Sequence, residues 1–135
     1  MSPVIETERL RLRVPDDRES AAAVAYWMDD RSRFTGGPMA EIPAWRHWAS
    51  VVGHWTLRGY GLFAVEPRAG GASLGLVGCY NPGGWPEPEI GWILWSAASE
   101  GQGLAHEAAS AARHWAWSVL GWRVAVSYIA PENDR

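Results

Sequence analysis

The chain has 135 residues, 47% of them hydrophobic and 20% charged, with a formal net charge of −3. That length predicts one domain, residues 1–135, with a real core. The acidic balance excludes generic nucleic-acid binding, which needs a basic stripe, and the single cysteine, Cys79, excludes an internal disulfide and a multi-cysteine zinc site.

The elements follow in order. "TERLRLRVP", residues 7–15, alternates apolar and polar positions and predicts a half-buried strand ended by Pro15, with Arg9, Arg11 and Arg13 on its wet face. Asp16 with Glu19 three residues on has capping-box spacing. The helix it opens would turn Ala21, Val24, Ala25 and Met28 to one face. Residues 29–41, "DDRSRFTGGPMAE", read as a loop. Pro43 suits the first position of a second helix, with Trp45, Trp48, Val52 and Trp55 at helical spacing. His47 and His54 lie in the same segment without a Cys or carboxylate at ligand spacing, so helix packing or surface exposure is expected and no metal site.

Three strand-like runs come next: "YGLFAVEP", "SLGLVGCY" and "PEIGWILW", separated by short Gly- and Pro-rich loops that favour an antiparallel meander. Cys79 reads as a small buried hydrophobe of the second run. A helix over residues 102–120 follows, its stripe formed by Leu104, Ala108, Ala111, Trp115 and Val119, with Gly121 as its stop. "WRVAVSYIA" reads as a last strand and "PENDR" as the beginning of another helix. Strand, helix, strand is a crossover unit, so the third run and the last strand should lie parallel. Ligands in such sheets gather beyond the C-terminal ends of parallel strands, which here means just after Trp95. Ten tryptophans suit core packing and groove walls alike. No run reaches membrane-spanning length, and "MSPVIETERL" lacks the apolar segment of a secretory signal, so a cytoplasmic address is expected.

"EGQGLA", residues 100–105, stands between the third run and the helix. The first turn of a helix leaves N–H groups without partners, and glycines nearby let an anion approach them. The stretch lacks the Lys of a P-loop and the three glycines of a dinucleotide fingerprint. On these residues alone, close packing and anion binding are both open.

In context the segment says more. "EIGWILW", "GQGLAHEAASAARHWAW" and "VAVSYIAPEN", with "IETERLRLR" at the start and "APEND" at the end, resemble the GNAT superfamily of acyl-CoA-dependent N-acyltransferases. Within it the chain is similar to the branch of ribosomal-protein N-terminal acetyltransferases. The resemblance implies an α/β (α+β) fold with a mixed, mostly antiparallel sheet flanked by helices. It also implies acetyl transfer from acetyl-CoA to a primary amine, either a protein N-terminus or a small amine, by direct attack.

Carried onto this sequence, the family's coenzyme loop covers Glu100, Gly101, Gln102, Gly103, Leu104, Ala105 and His106, with Gly103 and Ala105 at its defined positions. Glu100 stands where the family has Gln or Arg. The resemblance further implies that the strand end Ile93, Leu94 and Trp95 pairs with the pantetheine amides, and that Asn133 contacts the pantetheine arm. Glu89 is the candidate base; Glu87, Trp45, Trp85 and Trp92 are candidates for the acceptor groove, and no metal is implied. Relatives continue past "PEND" into a helix and two more strands. A C-terminally incomplete domain, and a homodimer covering that gap, are therefore expected. The alternative function is a non-catalytic module that binds acyl-CoA or another ligand.

Overall fold

A computed structural model describes residues 2–129 and residue 133. The alternating N-terminal segment folds as a hairpin rather than one strand. β1 (Val4–Glu6) pairs antiparallel with β2 (Leu10–Arg13). Thr7 closes the turn, its N–H donating to Leu10 O at 2.9 Å and its Oγ1 accepting from Leu10 N at 3.0 Å. Leu10 and Leu12 are buried as the alternation requires, but Arg13 is buried too, only 7% exposed. It leaves the wet face because two carboxylates lie over that side of β2. Arg13 bonds both oxygens of Glu19, and its Nε donates to Glu66 at 3.1 Å. The same Glu19 carboxylate completes the capping box by accepting from Asp16 N at 3.0 Å.

In α1 (Ser20–Met28) the core face is Ala23, Tyr26 and Trp27, not the small aliphatic set, and Met28 is exposed. Tyr26 and Trp27 have far more apolar area to remove from water, so they decide which way the helix rolls. α2 (Glu41–Arg58) begins two residues before Pro43 and buries Ala44, Trp48, Val51 and His54. Ala44 joins Ala23 in the shared core of the two helices, and Trp45 is turned outward, 56% exposed.

β3 (Leu62–Pro67), β4 (Gly75–Tyr80) and β5 (Glu89–Leu94) form the anticipated meander. The five-stranded sheet runs β1-β2-β3-β4-β5, antiparallel throughout. Leu62 and Leu76 face the α1–α2 layer, whereas Leu10, Leu12, Phe63, Val65 and Val77 face α3 (Leu104–Trp115). Five residues of π-helix, Ala116–Leu120, extend α3 until Gly121 adopts a left-handed conformation. The buried stripe is Ala108, Ala112 and Ala116; the wider π turn rotates Val119 off it, leaving that side chain 63% exposed. Cys79 packs with Ile90 and Ala116, and burial pushes its thiol up to about 12, which keeps it protonated and inert.

The last strand is the main correction. The parallel relation to β5 holds, but among the described residues it is one bridge, Glu89 with Val126, and not a strand over residues 122–130. Ile90 N donates to Val126 O at 2.9 Å and Val126 N to Pro88 O at 3.2 Å. The next ladder groups are then diverted onto side chains. Ile90 O accepts from Ser127 Oγ at 2.8 Å, and Tyr128 N donates to the Glu89 carboxylate at 2.8 Å. With its partners taken, the pairing cannot propagate and the two segments part. Of the anticipated final helix only Asn133 lies within the described residues.

Candidate active site

The parting of β5 from residues 126–128 makes the site. Trp95 N donates inward to Leu74 O at 2.9 Å, while Ile90 N donates outward to Val126 O. By the alternation of an antiparallel strand, the peptide groups of Trp92 and Leu94 therefore lie on the open edge, and those of Ile93 and Trp95 face β4. Of the three strand-end residues singled out from sequence, only Leu94 turns its peptide groups to the open edge, where its O accepts from Arg31 Nε; the indole of Trp95 packs on Tyr26 and donates to Ser73 Oγ at 3.1 Å.

Two cavities meet at this split. One, of about 470 Å³, lies on the α1–α2 side and includes Trp27, His47, Tyr80, Trp85, Glu89 and Tyr128 in its wall. The other, of about 450 Å³, lies on the α3 side against Ala105, His106, Ala109 and Arg113. Ile90, Trp92 and Ser127 line both, so the two adjoin at the split and together form a slot bordered by the start of α3 on one side and by Glu89 on the other.

Glu89 sits at the inner end of that slot, 8% exposed. Its carboxylate accepts from Tyr128 N and from Trp85 Nε1 at 3.2 Å. Burial pushes its pKa above the ordinary carboxylate value, and the Tyr128 and Trp85 bonds offset part of that rise. Burial, and then the charge of Glu89, likewise raise the Tyr80 phenol. A carboxylate held by N–H donors in an apolar wall, with its pKa raised, is built to take up a proton.

At the other end, Gly101 and Gly103 have φ of 74° and 75°. This left-handed backbone accounts for both glycines without any ligand. The loop is open as well: a Cβ at Gly101 would meet nothing within 4 Å, and one at Gly103 would meet only Arg9 Nη2 at 3.5 Å. α3 starts with no side-chain cap, so the N–H groups of Leu104, Ala105 and His106 lack partners inside the helix. The β1–β2 turn holds this start in place. Arg9 Nε donates to Glu107 Oε1 at 2.7 Å, Arg9 Nη1 to Gln102 O at 3.0 Å, and Thr7 Oγ1 to Glu107 Oε2 at 2.5 Å. Gln102 is turned back onto Ala98 O at 2.8 Å.

Glu100, the residue out of place in the loop pattern, is paired. Arg31 Nη2 lies 2.6 Å from its Oε1, and Arg31 Nε donates to Leu94 O at 3.0 Å. Sequence reading missed Arg31, which comes from a turn 69 positions away and carries no local pattern; Arg9 is exposed as expected, and from there it braces the start of α3. Of the acceptor-side residues, Trp85 and Trp92 line the slot, and Asn133, expected at the pantetheine arm, lies in the wall of the same cavity. Trp45 and Glu87 do not. Among the described residues no cluster of three or more His, Cys, Asp and Glu could hold a metal, and no helix is long and apolar enough to cross a membrane.

Residues 9–135 match the family model described as acetyltransferase (GNAT) domain. The crystal structure of an acetyltransferase from Agrobacterium tumefaciens is 32% identical with a TM-score of 0.90, the match covering 98% of this chain and 77% of that one. A structure described as a GNAT-family acetyltransferase from Bordetella pertussis is 25% identical with a TM-score of 0.78, over 97% of this chain and 81% of that one. A ribosomal-protein alanine acetyltransferase from Vibrio fischeri, at 15% identity, shares the fold with a TM-score of 0.71 over 98% of this chain and 76% of that one.

Proposed function

Because the chain belongs to the GNAT acetyltransferase family, we propose that it transfers an acetyl group from acetyl-CoA, the co-substrate of that family, to a primary amine. The observation that carries this is the pair of adjoining cavities at the β5 split, one at an uncapped helix start and the other at a buried carboxylate of raised pKa. The donor set suits the coenzyme. N–H groups from Gly101 to His106 would bind the pyrophosphate at the positive end of the α3 dipole, with the guanidinium groups of Arg9 and Arg31 on either side. The edge peptide groups of Trp92 and Leu94 would take the pantetheine amides, with Asn133 near the arm.

In the reaction, the acceptor enters as an ammonium beside Glu89 and gives up one proton to the carboxylate. The neutral amine attacks the thioester carbonyl, a C–N bond forms, the C–S bond breaks, and the coenzyme leaves as a thiol. Counted over the cycle, ammonium and acetyl-CoA become the amide, the thiol of coenzyme A and one released proton. The two adjoining cavities would hold both reactants at once, which favours direct attack over a covalent acetyl-enzyme. Buried Cys79, with its thiol raised to about 12, is no nucleophile for the latter route.

Calorimetry with acetyl-CoA, beside a thiol-release assay over an amine panel, tests this reading. Binding with amine-dependent thiol release supports it; binding without turnover on any amine supports the non-catalytic module. Homodimerisation belongs to the same proposal, through the exposed apolar side chains of Trp117, Val119, Val124 and Ile129, and a monomer in sedimentation would remove it.

A further inference from the structure

Resting on that acetyltransferase reading, we infer that the acceptor is a monoamine with an aromatic or apolar body, and not a polyamine, an acidic amine or a peptide N-terminus. Glu89 is the sole charged side chain among the described residues lining the acceptor-side cavity. His47, also in that wall, stands edge-on to Trp27 with ring centroids 4.5 Å apart, and burial lowers its pKa, so it is neutral at physiological pH.

Around Glu89 the walls are aromatic. Trp85 meets Tyr80 at 5.6 Å and 78°, and Tyr128 at 5.8 Å and 82°, while its Nε1 donates to the Glu89 carboxylate. Three rings so disposed beside one carboxylate form a receptor for a single ammonium, which gains from the counter-charge and from ring faces together. Phe34, Trp27 and Trp92 continue the wall away from Glu89 and offer apolar surface to the body of the acceptor.

The same wall tells against the other acceptor classes. A second ammonium would be desolvated against rings with no carboxylate to meet it, which is costly. An acidic acceptor would find no cation there; Arg31 and Arg9 are engaged at the coenzyme end, on Glu100, Leu94 O, Glu107 and Gln102 O. A peptide brings amide groups that need partners. The polar side chains of the wall are few: Thr35 Oγ1 is committed to Tyr26 and Ser32 O and Ser127 Oγ to Ile90 O, and the others are His47, Tyr80, Tyr128 and Asn133. Rejection is strong where a polar group is left unpaired in such a pocket.

The test is kcat/KM for phenethylamine and tryptamine against spermidine, glutamate and an alanine-initiated peptide. Calorimetric binding of each amine to the coenzyme A complex runs in parallel, so that the ranking is read even without turnover. The arylalkyl monoamines should lead by on the order of tenfold or more, the scale of a desolvated cation–ring contact. Trp85→Ala should raise their KM more than it lowers kcat and flatten the ranking, with Trp85→Phe restoring most of it and acetyl-CoA affinity unchanged. Preference for spermidine, glutamate or the peptide, or a ranking untouched by Trp85→Ala, overturns the inference. Failure to bind acetyl-CoA instead overturns the acetyltransferase reading, whatever the amine ranking.

Discussion

Two arginine–carboxylate clusters differ in what surrounds them. Arg13 with Glu19 and Glu66 is sealed between β2, β3 and the start of α1, its side chains 9%, 1% and 14% exposed. Arg31 with Glu100 lies at the end of β5, at 16% and 34%. The chemistry is alike, but the burial is not. A sealed cluster is costly to break because the survivor keeps a charge out of water. At the second, Glu100 is about a third exposed, so water relieves its charge when Arg31 is lost and the pair contributes less to stability.

Four substitutions or titrations would break or sharpen that contrast. The largest effect is expected from Arg13→Ala, which orphans Glu19; chemical denaturation should show a loss of about 3–5 kcal/mol. Glu89→Gln comes next, acting on turnover: thiol release should fall by about 10²–10⁴-fold, the usual worth of a positioned base. Its folded pKa is raised, so its contribution to stability is complete below the ordinary value of 4.5 and is lost as pH rises through the folded value. At neutral pH, Glu89→Gln should therefore unfold no more easily than the parent, and a large destabilisation would mark Glu89 as structural.

A smaller effect is expected at the exposed pair. Arg31→Ala should weaken acetyl-CoA binding by about tenfold, the equivalent of 1.4 kcal/mol, with little change in the denaturation midpoint. Adding Glu100→Gln to it should recover affinity, since the leftover carboxylate then no longer repels the pyrophosphate. Additive losses in the double variant would show that the two residues act independently.

The smallest is a titration. Asn81 N donates to His54 Nε2 at 2.9 Å, so Nδ1 carries the proton given to Tyr60 O at 2.7 Å, and the ring is neutral. Burial lowers its pKa from 6.5, with the Tyr60 bond acting the other way. Stability should thus be complete above pH 6.5 and decline as pH falls through the depressed folded value. His54→Phe, which cannot titrate, should flatten that decline in denaturation curves taken between neutral and mildly acid pH.

Legibility from sequence followed the range of the interaction. The capping box of Asp16 and Glu19, the meander and the α3 loop are set by neighbours a few positions apart, and each appears where its pattern lies. The roll of α1 was misread because periodicity weighs Ala21 and Ala25 like Tyr26 and Trp27, while burial energy scales with area. The face of α2 turned on its packing against α1, a contact between helices. Arg13 was misread because the carboxylate over it comes from a different element.

The split at the last strand shows the division most clearly. By itself, the sequence determined that a strand, a glycine-bearing loop and a helix follow one another and end with a segment parallel to β5, because short-range backbone geometry and spacing suffice for that. Only the tertiary structure decided that Ser127 Oγ and the Glu89 carboxylate intercept the hydrogen bonds of that pairing after one bridge. Only there did Arg31 arrive beside Glu100 across 69 positions. Hydrogen-bond partners and counter-ions are chosen among groups that folding brings together, and no local pattern records that choice.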